Sequence, residues 1–176
     1  AWGALYADLQ RLDDIGEIIF VLGCDEAESE VPANLLELKE ENSKIHVLTA
    51  PLGRGKQMNA GAKAARCEFL WFVHADSRLI FNLHQECNYF LQSTFNWDER
   101  STLPGLYYFD LEFFGGPRSL WLNEIGVWFR SHVLGMPFGD QAFFMHRGLF
   151  LSLRGFDEEL KRGEDHDLVW RARMGG

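Results

Sequence analysis

A largely parallel α/β sheet is the fold this sequence predicts, and three observations predict it. Residues 17–22, 45–48 and 68–73 are short, nearly continuous apolar runs, EIIFVL, IHVL and EFLWFV. Such runs suit strands buried on both faces. Segments of helical character, LLELKEE at 35–41 and an Ala-rich stretch after Gly55, separate them. Strands alternating with helices form βαβ units and therefore a parallel sheet. In such sheets ligands sit beyond the carboxyl ends of the strands. The segments in those places are GCDEAES, TAPLGRGK and HADSRL, one after each run.

The remaining elements follow in order. Residues 4–12, ALYADLQRL, read as a short helix, and 23–34 as an acidic loop carrying Pro32. Residues 106–113, LYYFDLEF, alternate in part and suit an edge or antiparallel strand. Residues 119–134 are helical, with apolar residues over most of the circumference and a polar strip near Ser119, Asn123 and Arg130. The simplest place for that helix is the core; the other is an interface docking a partner subunit or a membrane surface. Residues 141–145, QAFFM, form a short strand, and RGLFLSLRGFDEEL a helix ended by Gly155. GEDHDLVWRARM opens the last helix with acids. The chain starts directly in a helix, whereas a doubly wound domain usually opens with a strand, so the expectation is that a first strand is missing.

Composition narrows the function. A chain of 176 residues with 47% hydrophobic and 24% charged residues suits one soluble domain. Its net charge of −9 argues against nucleic-acid binding through a basic face. A negative chain that takes a negative ligand needs a local offset, such as a metal ion, a few basic side chains or a helix N-terminus. Cys24, Cys67 and Cys87 lie far apart without C-x-x-C spacing, which suits a reducing, cytoplasmic setting. No leader and no membrane-spanning run is visible.

Four segments carry candidate chemistry, each beside a plainer role. Asp76 in HADS ends a strand; it suits a turn, or a carboxylate for Mg²⁺ or Mn²⁺ bridging to phosphate oxygens. His74 could add an imidazole, better suited to Mn²⁺, or simply pack. In GRGKQMNAG, Gly53 and Gly55 permit close backbone approach, and Arg54 and Lys56 place positive charge before a helix N-terminus. The spacing is not that of a Walker A loop. In GEDHDL, the helix dipole favours an acid in the first turn. Three acids exceed that need, and one could serve as a general base. Asp140 and Gln141 either line a pocket or close a turn.

The blocks EIIFVLGCDEAES, GRGKQMNAGAKAARCEFLWFVHADSRL, GMPFGDQAFFMHRGLFLSLRGFDE and GEDHDLVWRARM stand in an order that resembles family 2 glycosyltransferases of the GT-A fold. The likeness extends to the small bacterial group of arsenosugar-biosynthesis or selenodomain-associated transferases. It implies a three-layer α/β/α sandwich around a mostly parallel sheet, its first strand missing, as one domain over 1–176. Residues 1–80 would form the nucleotide-sugar half and 81–176 the acceptor and catalytic half.

By the same resemblance, Asp76 matches the retained metal carboxylate and His74 stands where many members have Asp. Asp165 is the catalytic base with Glu164 beside it. Arg54, Lys56, Asn59, Ala75 and Asp76 face the donor, and Asp140 and Gln141 the acceptor. Where members carry an acid after the first run, this chain has Leu22, and Asp25 could substitute only if the loop shifts. The expected activity is metal-dependent, inverting transfer from a nucleotide-diphosphate sugar to an acceptor hydroxyl. The alternatives are a nucleotidyltransferase and a non-catalytic nucleotide-sugar-binding relative. Partners would be the donor, a hydroxyl acceptor and, through 119–134, a second copy or a membrane surface.

Overall fold

The computed structural model describes residues 2–12, 15–24, 31–79, 105–110 and 120–175. Asp25, Ser119 and the end of the run at 106–113 lie outside them. The first half follows the sequence closely. Helix α1 (Trp2–Leu9) buries Leu5, Tyr6 and Leu9. Trp2 and Tyr6 meet Phe20 of strand β1 (Ile18–Cys24) with ring centroids 5.5 and 6.4 Å apart. Helix α2 (Ala33–Glu41) buries Leu35 and leads to β2 (Ile45–Pro51). β1 and β2 pair in parallel from Ile18–Ile45 to Cys24–Pro51. Helix α3 (Arg54–Ala64) crosses both strands. Gly61 makes the approach possible, because a Cβ there would stand 3.1 Å from Val21 Cγ2.

The third apolar run departs from expectation. β3 (Phe69–Trp71) pairs with neither β1 nor β2. It joins an antiparallel sheet in the order β3-β5-β4, with β4 at Leu106–Tyr107 and β5 at Phe144–His146. An apolar run reports burial on both faces, not the direction of its neighbour. Side chains decide this pairing in part, since Phe69 stacks on Phe144 at 5.4 Å with the rings 3° from parallel.

Two further elements differ. The strand expected from 141 begins only at Phe144, because Gly139–Gln141 form a 3₁₀ turn and Ala142 turns left-handed at φ 52°. The helix expected over 119–134 is α4 (Leu120–Trp128), which widens into a π-turn over Phe129–Val133. Its large apolar residues are not core: Trp121, Ile125, Trp128, Phe129 and Val133 are each at least half exposed. Among the described residues no helix is long and apolar enough to cross a membrane.

Helix α5 (Arg147–Ser152) stops where Arg154 and Gly155 adopt φ of 65° and 69°. Helix α6 (Glu164–Met174) closes the chain. The core forms where α3, β3, β5, α5 and α6 meet, around Ala62, Leu70, Phe143, Met145, Phe150, Phe156 and Leu168. Phe143 has no exposure at all. Phe143→Ala is therefore expected to cost about 3–5 kcal/mol of stability, read by urea denaturation.

Candidate active site

The three acids of GEDHDL have three different partners, and this sorts their roles. Gly163, at φ 84°, turns the chain into α6 without a side-chain cap. Glu164, 3% exposed, faces Arg54 at 3.2 Å from Oε1 to Nε. Asp165, 7% exposed, accepts the Gly139 N–H on Oδ2 at 2.8 Å and the His166 N–H on Oδ1 at 2.9 Å. Asp167 is bound by Arg171, whose guanidinium also donates to the Leu153 and Gly155 carbonyls. Asp167 is thus a structural tie to the end of α5. A carboxylate has about four acceptor sites, so Asp165 keeps lone pairs for a further proton donor.

Arg54 joins this acidic start to the end of β3. Its Nη2 lies 3.2 Å from His74 Nε2. A guanidinium can only donate, so His74 accepts through Nε2 and carries its proton on Nδ1. Burial first, then the Arg54 charge, holds the His74 imidazole below its ordinary range. Asp76, Asp140 and Asp165 pull the other way. Gly139 completes the corner: a Cβ there would stand 2.9 Å from Arg54 Nη2 and 3.4 Å from Asp165 Oδ2. Any larger residue would press Asp165 and Arg54 apart.

Asp76 is exposed in a turn closed by Ser77 N–H on the His74 carbonyl at 3.0 Å. A hard divalent ion fits it, because one or two carboxylates together with phosphate oxygens satisfy such an ion. His74 does not fit as a ligand in this arrangement. Its Nε2 lone pair is engaged by Arg54, and a metal there would sit beside a guanidinium charge. Among the described residues no group of three His, Cys, Asp or Glu could hold a metal unaided.

The structure places other candidates elsewhere. Asn59 uses its amide on the loop after α5, donating to the Phe156 carbonyl and Glu158 and accepting the Phe156 N–H, each at 2.9 Å. Gln141, 1% exposed, accepts from Phe138 N–H at 3.0 Å and lies 2.8 Å from the Ser131 hydroxyl. It also donates to the Phe109 carbonyl at 3.3 Å. Its side chain braces the turn that carries Gly139 and the exposed Asp140. Lys56 is half-buried near Gly53, and Ala75 is exposed beside Asp76.

Two groups escaped the sequence reading. Arg130 lies over the Phe138 ring at 3.1 Å, and Phe138 stacks on His166 at 4.2 Å. Burial lowers the Arg130 pKa, while Asp140 and Asp165 oppose that shift, which marks it as their neighbour. The π-turn brings Arg130 here, and a 3.6-residue period does not foresee such a turn.

Asp8, 5% exposed, binds Arg78 at 2.7 Å and the Leu79 N–H at 3.2 Å, tying α1 to the chain beyond Asp76. A signal existed, since Asp8 stands between Leu5 and Leu9 on the apolar side of its helix. The Arg78 hydrogen bond lowers the Asp8 pKa from 3.8 despite burial. The depressed carboxyl stabilises the fold above the unfolded value, and that contribution disappears as pH falls through the lower folded value. Asp8→Asn is expected to lower Tm at pH 7, with the difference from wild type narrowing below pH ~4 in melts across pH.

The parallel β1–β2 pair, the antiparallel sheet of β3, β5 and β4 and the helices packed on them define a class, a mixed α/β fold. Among solved structures, the chain is similar to S. aureus TarS. The crystal structure of TarS 1–349 matches with TM-score 0.64 and 19% identity, over 97% of this chain and 50% of that one. A second crystal structure of S. aureus TarS matches with TM-score 0.66 and 18% identity, over 97% and 30%. The chain thus spans half or less of the length of these neighbours, and at such identity the likeness is one of fold. No protein-family model and no curated protein matches the chain.

Proposed function

We propose that this chain carries the donor-binding and catalytic part of a metal-assisted, inverting glycosyltransferase acting on a nucleotide-diphosphate sugar. One observation carries the proposal: the buried Asp165 is fixed by the Gly139 N–H in the same corner where Arg54 spans Glu164 and His74. A positioned carboxylate thus stands beside a cation at the end of β3. The fold shared with TarS, itself a glycosyltransferase, supports the reading.

Asp165 takes the proton of the acceptor hydroxyl as that oxygen attacks the anomeric carbon. A single in-line displacement inverts the configuration. Arg54 faces the negative charge that grows on the departing diphosphate. His74, neutral, holds Arg54 in place. Asp76 would hold Mg²⁺ or Mn²⁺, which when bound neutralises charge on the diphosphate oxygens.

A thermal-shift screen of nucleotide sugars, with and without Mn²⁺, tests this directly. A ligand that binds only the folded chain raises its Tm. One nucleotide class should raise Tm in the presence of Mn²⁺, and Asp76→Asn should remove the Mn²⁺ dependence. A metal-dependent shift without nucleoside diphosphate release towards any hydroxyl acceptor would identify a non-catalytic binder. No shift with any nucleotide sugar would refute the proposal.

A further inference from the structure

The π-turn at the end of α4 reaches the candidate active site through two adjacent side chains. The Ser131 hydroxyl lies 2.8 Å from the Gln141 amide oxygen, which also accepts the Phe138 N–H. Arg130 lays its guanidinium over the Phe138 ring, 3.1 Å from the centroid. The turn therefore grips residues 138–141 at both ends, and Gly139 lies between the two grips.

Phe138 has a second neighbour. Its ring stacks on His166 with 4.2 Å between centroids and the planes 27° apart. A guanidinium and an imidazole at these heights over one face would overlap. They therefore take opposite faces, and Phe138 is the middle layer of a three-layer stack. The negative face of the ring attracts the guanidinium. A second anchor fixes its edge, since Arg130 Nε donates to the Met136 carbonyl at 3.1 Å. The Met136 N–H returns a bond to the Arg130 carbonyl at 3.0 Å.

The stack ends where Asp165 is held. The Asp165 carboxylate accepts the N–H groups of Gly139 and His166. Gly139 directly follows the middle layer of the stack, and His166 is its last layer. The spacing of the rings thus sets the spacing of the two donors, and with it the direction of the carboxylate. In one respect the stack is unfavourable. Among the described residues the buried atoms Arg130 Nη2 and His166 Nε2 have no hydrogen-bond partner. Unpaired buried polar atoms oppose folding, so stability alone does not account for the arrangement.

We infer that Arg130 is a positioning residue, which clamps Phe138 against His166 and so aims the Asp165 carboxylate at the acceptor. This rests on the reading of Asp165 as the base. Among the described residues the Arg130 side chain makes no hydrogen bond to Asp165, so it acts through the Phe138 ring. Aim matters at this group, because a misplacement of about 1 Å can cost about 10²-fold in rate.

Amide signals read by NMR test the clamp without any substrate. Arg130→Met keeps the length of the side chain and removes its charge and plane. In it the Gly139 amide should exchange about tenfold or more faster than in wild type. Its proton signal should also move towards the position it takes in Asp165→Asn. Phe138→Leu should do the same, and the double variant should be no faster than Phe138→Leu alone, because both changes act through one ring. Arg130→Lys, the milder change, keeps the charge and should fall between wild type and Arg130→Met. The Ile18 amide, bonded to the Lys44 carbonyl, should not change. An unaltered Gly139 amide in Arg130→Met would overturn the inference. So would equal acceleration at Ile18, which marks general loosening, or additive effects in the double variant. Nucleoside diphosphate release by Asp165→Asn reads the base separately. Release that persists beside the expected Gly139 behaviour would sink the proposed chemistry and not the clamp; lost release beside an unaltered Gly139 amide would sink the clamp and not the chemistry.

Discussion

Asp165→Asn is expected to slow sugar transfer by about 10²–10⁴-fold, the range that a positioned general base contributes. The change is nearly isosteric, but it removes the ability to take a proton. The local structure has reason to survive. Asp165 accepts the Gly139 N–H and the His166 N–H, and an asparagine oxygen keeps one of these. Its amide group then faces the other donor, which costs about 1–2 kcal/mol. Nucleoside diphosphate release measured beside a thermal melt separates the two effects. A large loss of rate with a small fall in Tm assigns the base. Near-normal turnover would place the base elsewhere, and Asp140, exposed in the turn after Gly139, would be the next carboxylate to replace.

The second large effect belongs to Arg54. Arg54→Ala removes the cation from both Glu164 and His74. Glu164 then loses its ion-pair partner at a side chain only 4% exposed, whereas Arg54 itself is 51% exposed. The half-exposed partner limits the stability cost to about 1–3 kcal/mol, below that of breaking a fully buried pair. Transfer should fall by about 10²–10³-fold, as when one group facing the developing charge is removed. Adding Glu164→Gln separates the two losses, because a neutral amide no longer needs the cation. The double variant should regain most of the lost Tm and none of the lost rate. Recovery of both would make the pair purely structural.

The candidate site was legible in the sequence as a set of segments, and much less as a set of contacts. GRGK, HAD and GED each stood out because charge and glycine appeared at the ends of apolar runs, where an α/β sheet presents its loops. The sorting within GED was not legible. Glu164, Asp165 and Asp167 differ only in which face of the first turn each occupies, and their partners Arg54, Gly139 and Arg171 come from distant parts of the chain. Gln141 stood out as a polar residue between apolar segments, and Asn59 only through the resemblance of its segment to a donor-binding one. Their amides instead bind main-chain groups of neighbouring loops. A polar side chain in such a place has the same sequence signature whether it meets a ligand or a loop.

By itself the sequence determined the strands β1 and β2, the helices between and after them, and the polar loops at their ends. Those features depend on local periodicity and turn chemistry, which a linear chain displays. The tertiary structure alone decided that β3 pairs antiparallel with β5 rather than extending the parallel pair. It alone left the aromatic helix exposed, ended it in a π-turn and gave each acid of α6 its own partner. Pairing direction, exposure and ion-pair choice depend on which distant surfaces meet, and apolar periodicity carries no record of that.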